Sequence, residues 1–286
     1  MNKPITHTAL ADKAVLVKLT RNVWNRRVSD KQLTDAAEAS VAATRKVGKF
    51  LKELAAESAE VEEVERAYSA LYVYMRKNTL PWLDDGVRML PSRRYFDFAA
   101  ELTKLREEAN AAAAKLEAVF PAVIAADAAR LGAAWNIDDY PTSITDKYKS
   151  AVQWRPVPAA GDFRVAVDPA DALALDNAIA DAEQAARAEV LHQLVEPLQH
   201  AIEVLGREKP RIHGSMLGNI VEAAERVPLL LLDADPGLEA LAERVAALAQ
   251  QHMATLDDIK GDDAAKAQVA SDLKAQVDTL VNVFGG

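Results

Sequence analysis

At 286 residues, half of them hydrophobic but only 6% aromatic, the chain has material for one elongated domain or two small ones, and its composition favours helices over a β-sandwich or barrel. Its 34 basic and 43 acidic residues leave a formal charge of −9, so the global positive field that nonspecific duplex-DNA binding requires is absent. Zero cysteines exclude disulfides, thiol catalysis and cysteine-zinc sites. The opening Met1-Asn2-Lys3-Pro4 leads into no apolar core of a secretion signal. The most apolar run, Val227 to Leu232, contains Pro228 and falls short of the roughly 20 residues of a membrane span. A soluble protein without membrane contact is the expectation.

Residues 14–24 read as a strand with Val15, Val17, Leu19 and Val23 on one face of period two. Ser29-Asp30 then precedes an Ala/Glu/Lys-rich run from Lys31 to about Ala56, whose Leu33, Ala37, Val41, Val47, Phe50, Leu51 and Leu54 predict a helix. A second helix is predicted over 60–76, with Val61, Val64, Ala67, Leu71 and Met75 in its stripe and Tyr68, Tyr72 and Tyr74 beside it. Residues 78–92 read as a loop in which Pro81 and Pro91 bound an Asp84-Asp85-Gly86 turn signal, with Trp82 between them. From Arg93 a helix reaches Leu131, with Phe98, Leu102, Leu105, Ala109, Ala112, Leu116, Val119 and Val123 at coiled-coil spacing. Pro121 either kinks it or opens a separate helix.

Asp168-Pro169 caps a matching segment to about Gly206, where Leu175, Ile179, Ala182, Ala186, Val190, Leu194, Leu198, Ile202 and Leu205 repeat with similar spacing and Pro197 poses the same threat. Two long helices separated by a compact insert are simplest as antiparallel arms of one hairpin. The insert, at about 135–168, reads as a β-hairpin of 148–156 and 163–167 at the tip. Amphipathic helices follow from His213 to about Arg226, Asp235 to His252 and Asp262 to Phe284, with Pro228, Pro236 and Gly261 at the breaks. The fold class is therefore mainly α: a long antiparallel, coiled-coil-like helical hairpin with a small β element from 14–24, 148–156 and 162–167, plus shorter C-terminal helices. The organisation reads as three consecutive segments, 1–91, 92–206 and 207–286.

No GxxxxGK[ST] loop and no GxGxxG turn is present, which removes the usual nucleotide cradles. The five histidines, His7, His192, His200, His213 and His252, contain no HExxH and no i,i+4 pair. His192 and His200 can share a helix face, although solvated or interfacial histidines are the commoner reading. The acid pairs at 84–85, 138–139, 257–258 and 262–263 are usual in caps, and Gly214-Ser215-Met216-Leu217-Gly218 lacks the spacing of a nucleophile elbow. These features predict no enzyme, no cofactor and no metal site.

The denser constellation is aromatic and basic. Arg21, Trp24, Arg26 and Arg27 leave the first strand; Trp82, Asp85, Arg88, Arg93, Arg94 and Tyr95 crowd the loop and the next helix start; Asp162 and Arg164 lie at the turn of the insert. If the first two segments converge, guanidinium groups and aromatic faces can bind the phosphates and stack the bases of a single strand. Alternatively the tryptophans are core and the arginines pair with acids such as Asp84 and Asp85, forming a packed cap.

The succession Val17-Lys18-Leu19-Thr20-Arg21-Asn22-Val23-Trp24-Asn25-Arg26-Arg27, then Asn78-Thr79-Leu80-Pro81-Trp82 with Asp84-Asp85-Gly86, Arg88, Leu90-Pro91 and Tyr95, then Gly161-Asp162-Phe163-Arg164-Val165, resembles a bacteriophage protein family of uncharacterised function over roughly the first 170 residues. The resemblance brings no catalytic residues; it marks Trp24, Trp82, Asp85, Arg88, Gly161, Asp162 and Arg164 as shared positions. Related proteins tend to be encoded near MoxR- or CobS-like AAA ATPases and von Willebrand factor A proteins, which implies an accessory role in the cytoplasm of an infected bacterium. The leading expectation is a non-enzymatic protein acting through protein–protein interaction, with a phage AAA ATPase or a host factor as partner and a homo-oligomer formed through its helical seam. The alternative is a single-stranded nucleic-acid-binding protein of phage replication or recombination that uses Trp24, Trp82 and Arg88.

Overall fold

A computed structural model of the chain describes residues 8–40, 48–158, 168–208 and 210–284. Its elements in chain order are α1 (Thr8–Lys13), β1 (Ala14–Asn22), β2 (Arg27–Ser29), α2 (Lys31–Ser40), β3 (Leu51–Glu53), α3 (Ala59–Asn78), β4 (Leu80–Pro81), β5 (Val87–Pro91), α4 (Tyr95–Leu131), β6 (Lys149–Pro156), α5 (Pro169–Leu205), α6 (Gly214–Leu230), α7 (Pro236–Ala254), α8 (Leu256–Gly261) and α9 (Asp263–Phe284). The protein is mainly helical. Its described residues form two compact units, each built from separated stretches where the sequence suggests three consecutive segments. The first unit takes the described parts of Met1–Lys18, Arg76–Phe98 and Gln153–Gly286, and the second takes those of Leu19–Met75 and Ala99–Val152.

In the first unit, Ala14 to Lys18 of β1 pair antiparallel with Pro91 to Val87 of β5, within a sheet of order β4-β5-β1-β6. The Asp-Gly signal produces a hairpin between β4 and β5. Val87 donates its N–H to the Asp84 carbonyl at 3.1 Å, and Gly86 takes φ +74°, a conformation that costs glycine little. Val87–Pro91, expected in a loop, is instead a strand because Val87, Met89 and Leu90 are all buried against neighbours in the core. Burial along β1 also departs from strict alternation. Ala14, Leu16 and Val17 are buried while Val15 and Leu19 are half-buried and Val23 is exposed, so both faces of the first half are covered.

Helix α5 runs through Pro197 without ending, and the Asp168 carboxylate caps it by accepting the Ala170 N–H at 2.8 Å. Its seam of Ile179, Ala182, Ala186, Val190, Leu194 and Leu198 is buried as the spacing predicts, but the helices that cover it are α6 and α9. Helix α4 belongs from Ala99 onward to the second unit. A three-and-four spacing states that a helix has a partner without saying which, and α9 offers Val269, Leu273, Val277 and Leu280 at the same spacing. Helix α6 continues past Arg226 through Pro228 to Leu230, and Asp235 caps α7 by accepting the Leu238 N–H at 3.0 Å.

In the second unit the stripe of α3 is Val61, Val64, Tyr68, Leu71 and Met75, with Tyr68 in the place expected for Ala67. The Tyr68 hydroxyl lies 3.2 Å from Asn110 Oδ1 on α4 and donates to the Tyr148 carbonyl at 2.7 Å. Beyond Leu116 the buried line on α4 passes to Phe120 and Asp127, leaving Val119 exposed, because a straight helix drifts off a seven-residue repeat. Pro121 lies inside this helix and does not divide it. An 18-residue window within Ser92–Ala134 has a mean hydropathy of 1.3, so this helix, and not the Val227–Leu232 run, meets the length and composition of a membrane span. Alanine dominates it, and the hydrogen bonds made from α4 by Asn110, Glu117 and Asp127 are compatible with a soluble protein.

The helix expected from Lys31 to about Ala56 is also corrected. Helix α2 ends at Ser40 and β3 pairs antiparallel with β2 in the register Arg27↔Glu53, Val28↔Lys52 and Ser29↔Leu51; Val41 and Val47 fall outside the described residues. Polar groups decide the outcome: Thr34 Oγ1 accepts the Phe50 N–H at 3.0 Å and the Phe50 carbonyl accepts the Asp30 N–H at 2.9 Å. In the insert, β6 borders β1 in the sheet and the second arm expected at 163–167 lies outside the described residues.

The chain leaves β3 through Leu54 and Ala55, both buried, and Ala55 takes φ +50°, a left-handed conformation costly for any residue with a Cβ. Asp127, 3% exposed, secures that corner. It accepts the Ala55 N–H at 2.6 Å, the Tyr140 hydroxyl at 2.5 Å and the Arg130 Nε–H at 2.7 Å. Burial alone would raise its pKa, but the three donors and the Arg130 charge outweigh burial and hold the carboxyl below its ordinary value. Because the folded pKa lies below the unfolded one, this stabilisation is complete above the ordinary carboxylate range and is lost as pH falls through and beneath it. Asp127→Ala, which strands three donors, should cost about 3–5 kcal/mol in urea unfolding at neutral pH. Asp127→Asn should flatten the acid limb of the stability–pH curve, and an unchanged limb would refute this account.

Candidate functional site

The residues singled out by sequence fall into two groups, one in each unit. In the second unit Trp24 is 7% exposed and packs edge-on to Phe120, ring centres 5.7 Å apart, with Tyr140 at 6.3 Å. Arg26 forks onto Glu65 at 2.7 and 3.0 Å and donates to the Leu54 and Ala55 carbonyls. Burial lowers the pKa of its guanidinium, yet Glu65, with Glu53 nearby, raises it by more, so the net shift is upward. Arg21 donates to the Tyr68 carbonyl at 3.2 Å and lies 4.7 Å over the Tyr72 ring, while Arg27 is exposed on β2.

In the first unit Trp82 packs half-buried against the core and Asp85 sits exposed in the β4–β5 turn. Arg88 donates to the Thr79 hydroxyl at 3.0 Å and to the Thr79 carbonyl at 2.5 Å, with Glu189 at 3.9 Å. Arg93 donates to the carbonyls of Pro228 and Leu231, the latter at 2.9 Å, satisfying acceptors that the end of α6 leaves open. Arg94 is half-buried in the turn before α4. Asp162 and Arg164 lie outside the described residues. Most of these arginines are engaged in holding backbone, and the acids they meet are Glu53, Glu65 and Glu189.

A cleft of about 920 Å³ in the first unit is the better candidate. Helix α6 ends at Leu230, Arg93 ties down its last carbonyls, and the chain turns through Asp233-Ala234 to the cap of α7 at Asp235. This turn, α5 and the end of α9 enclose the cleft. Its apolar lining includes Leu80, Leu191, Leu230, Leu232, Leu238, Val283 and Phe284, and its polar lining is Glu183, Gln184, Arg187, Asp233 and Asp235. The volume falls within the range of roughly 300–1,000 Å³ typical of ligand pockets. Val283 is 64% exposed, so part of the apolar wall faces solvent. Arg187 reaches Glu183 at 3.3 Å and Lys13 reaches Asp233 at 2.5 Å. Among the described residues the lining has no Ser, Thr, His, Lys or Tyr, and these residues offer neither a hydroxyl nucleophile nor an imidazole base.

His192 and His200 do share a groove, of about 360 Å³, between α5, α6 and the end of α3. Arg76, Lys77 and Arg226 there face Glu189, Glu196 and Glu222. Glu222 accepts from Lys77 at 3.1 Å and from Arg226 at 2.5 Å; burial raises its pKa but the two cations lower it by more. The groove is internally neutralised, and no cluster of three or more metal-ligating side chains exists among the described residues.

The cleft was not read from sequence: the apolar run from Val227 to Leu232 gives Val227, Leu230 and Leu231 to the core and leaves Leu232 half-buried at the cleft, a division that composition does not reveal. No family model, curated protein or solved structure matches the chain. Arg26 and Arg27 separate structural from recognition roles directly. Arg26→Ala should lower unfolding stability by about 2–3 kcal/mol, since it removes charge-assisted hydrogen bonds, while Arg27→Ala should change it by less than about 0.5 kcal/mol. Equal effects would show that Arg26 is not the anchor that its contacts describe.

Proposed function

We propose that the chain is a non-enzymatic interaction protein that binds another protein through the cleft of its first unit. The observation that carries this reading is the apolar lip of the cleft, where Val283 is exposed and Leu191, Leu232 and Phe284 are half-buried beside the buried Leu80, Leu230 and Leu238, with no nucleophile or imidazole among the described lining residues. Protein recognition requires apolar surface that the fold itself does not cover. Helix α4 adds to it, because its apolar window is only 22% buried. The resemblance to phage accessory proteins makes a phage AAA ATPase or a host factor the expected client. The engagement of Trp24, Arg26 and Arg88 with their own fold favours this reading over single-strand binding, since stacking and phosphate contact need those groups available.

A photo-crosslinking residue at Val283 tests it. In cells that make the protein, position 283 should yield a discrete protein adduct that the comparably exposed control position Leu173, outside the cleft, does not. Labelled single-stranded oligonucleotides should show no binding that weakens with salt. An adduct to nucleic acid, or the same adducts from both positions, would overturn the proposal.

A further inference from the structure

We infer that the occupant of this cleft is a basic amphipathic segment of a partner protein, an apolar helix face flanked by lysine or arginine. The inference rests on reading the cleft as a docking site. It adds charge to that reading. Three carboxylates, Glu183, Asp233 and Asp235, stand around the apolar lip, against a single cation in the lining, Arg187. Counting Lys13, which reaches Asp233 from α1, the acids still exceed the cations. Both opposing cations are held in solvent-exposed pairs: the side chains of Arg187 and Asp233 are 71% and 48% exposed. Exposed pairs of this kind contribute little to stability, so an incoming ammonium or guanidinium group can replace either at small cost.

At longer range the chain's charge of −9 steers a cationic partner and repels an anionic one. The apolar lip supplies what charge does not, since half-buried Leu232 and Phe284 and exposed Val283 can receive the anchors of a helix at i, i+3 or i+4, and i+7. A neutral apolar ligand would leave the acidic rim unanswered, and an acidic segment would meet it with repulsion.

The test uses the full chain and two synthetic helical peptides with identical apolar anchors, one flanked by lysines and the other by glutamates, in fluorescence anisotropy titrations. The basic peptide should bind at least about tenfold more tightly at low ionic strength, and its advantage should shrink as salt is raised to about 0.5 M. The double variant Glu183→Gln/Asp233→Asn, with folding verified by circular dichroism, should lose most of that advantage while still binding through the apolar lip. Equal binding of both peptides would overturn the basic class and leave the docking reading intact; binding of neither would overturn both. Occupation of the cleft by a small apolar dye but by neither peptide, or by a second copy in a concentration-dependent dimer, would equally reject the proposed occupant.

Discussion

Five residues, Leu51 to Ala55, must stay extended and then turn through a left-handed corner, and most of the second unit's polar chemistry is directed at making them do so. A three-residue ribbon supplies few ladder bonds, and no glycine relieves the positive φ at Ala55. Side chains from three other elements supply the rest. Arg26 takes the carbonyls of Leu54 and Ala55, Asp127 takes the Ala55 N–H, Arg130 takes the Glu53 carbonyl, and Lys52 bridges to Asp139 at 2.6 Å. Such over-determination is the condition under which a strained conformation persists. It also accounts for the position of Trp24, which fills the space over Phe120 and Tyr140 beside the same corner and so joins the core.

A similar economy holds the segment after α4. Glu117 accepts the N–H groups of Ile144 and Thr145 at 2.7 and 2.9 Å and the Ser143 hydroxyl at 3.1 Å, and these bonds, led by that from Thr145, hold its carboxyl below the ordinary range. Tyr140 and Tyr148, on either side, have hydroxyls whose pKa is raised chiefly by burial. Charged groups on the regular helices thus satisfy the irregular backbone between them, and removing one strands several partners at once.

How much of this was legible depended on whether the signal was local. The Asp168 and Asp235 caps, the Asp84-Asp85-Gly86 turn and the seam of α5 were readable because each is written within a few residues. The strand at Leu51–Glu53 was not, because the run before it is composed like a helix and its decisive partners, Arg26 and Asp127, lie 29 and 72 residues from Ala55. That α6 and α9 cover the α5 seam was not legible for a related reason: several helices present apolar residues at similar spacing, and periodicity cannot rank them. Arginine and tryptophan crowding predicted recognition at Arg26 and Arg88, yet a guanidinium is equally suited to collecting backbone carbonyls, and the sequence does not distinguish the two uses.

The cleft follows from how the first unit ends its helices. Helix α6 runs through Pro228 to Leu230, Arg93 collects the carbonyls of Pro228 and Leu231 beyond its last turn, and Asp235 restarts the chain as α7 after a short turn that buries Leu230 and Leu231 and leaves Leu232 half-buried. The Phe284 ring lies 3.5 Å from where a Cβ on Gly237 would stand and closes one side, but Val283 stays largely in solvent. A fold optimised only for burial would place polar residues along such a turn, as it does in the β4–β5 turn at Asp84-Asp85-Gly86. Exposed Val283, beside half-buried Leu232 and Phe284 and edged with carboxylates, breaks that local consistency, and breaks of this kind are where a chain's function is to be sought.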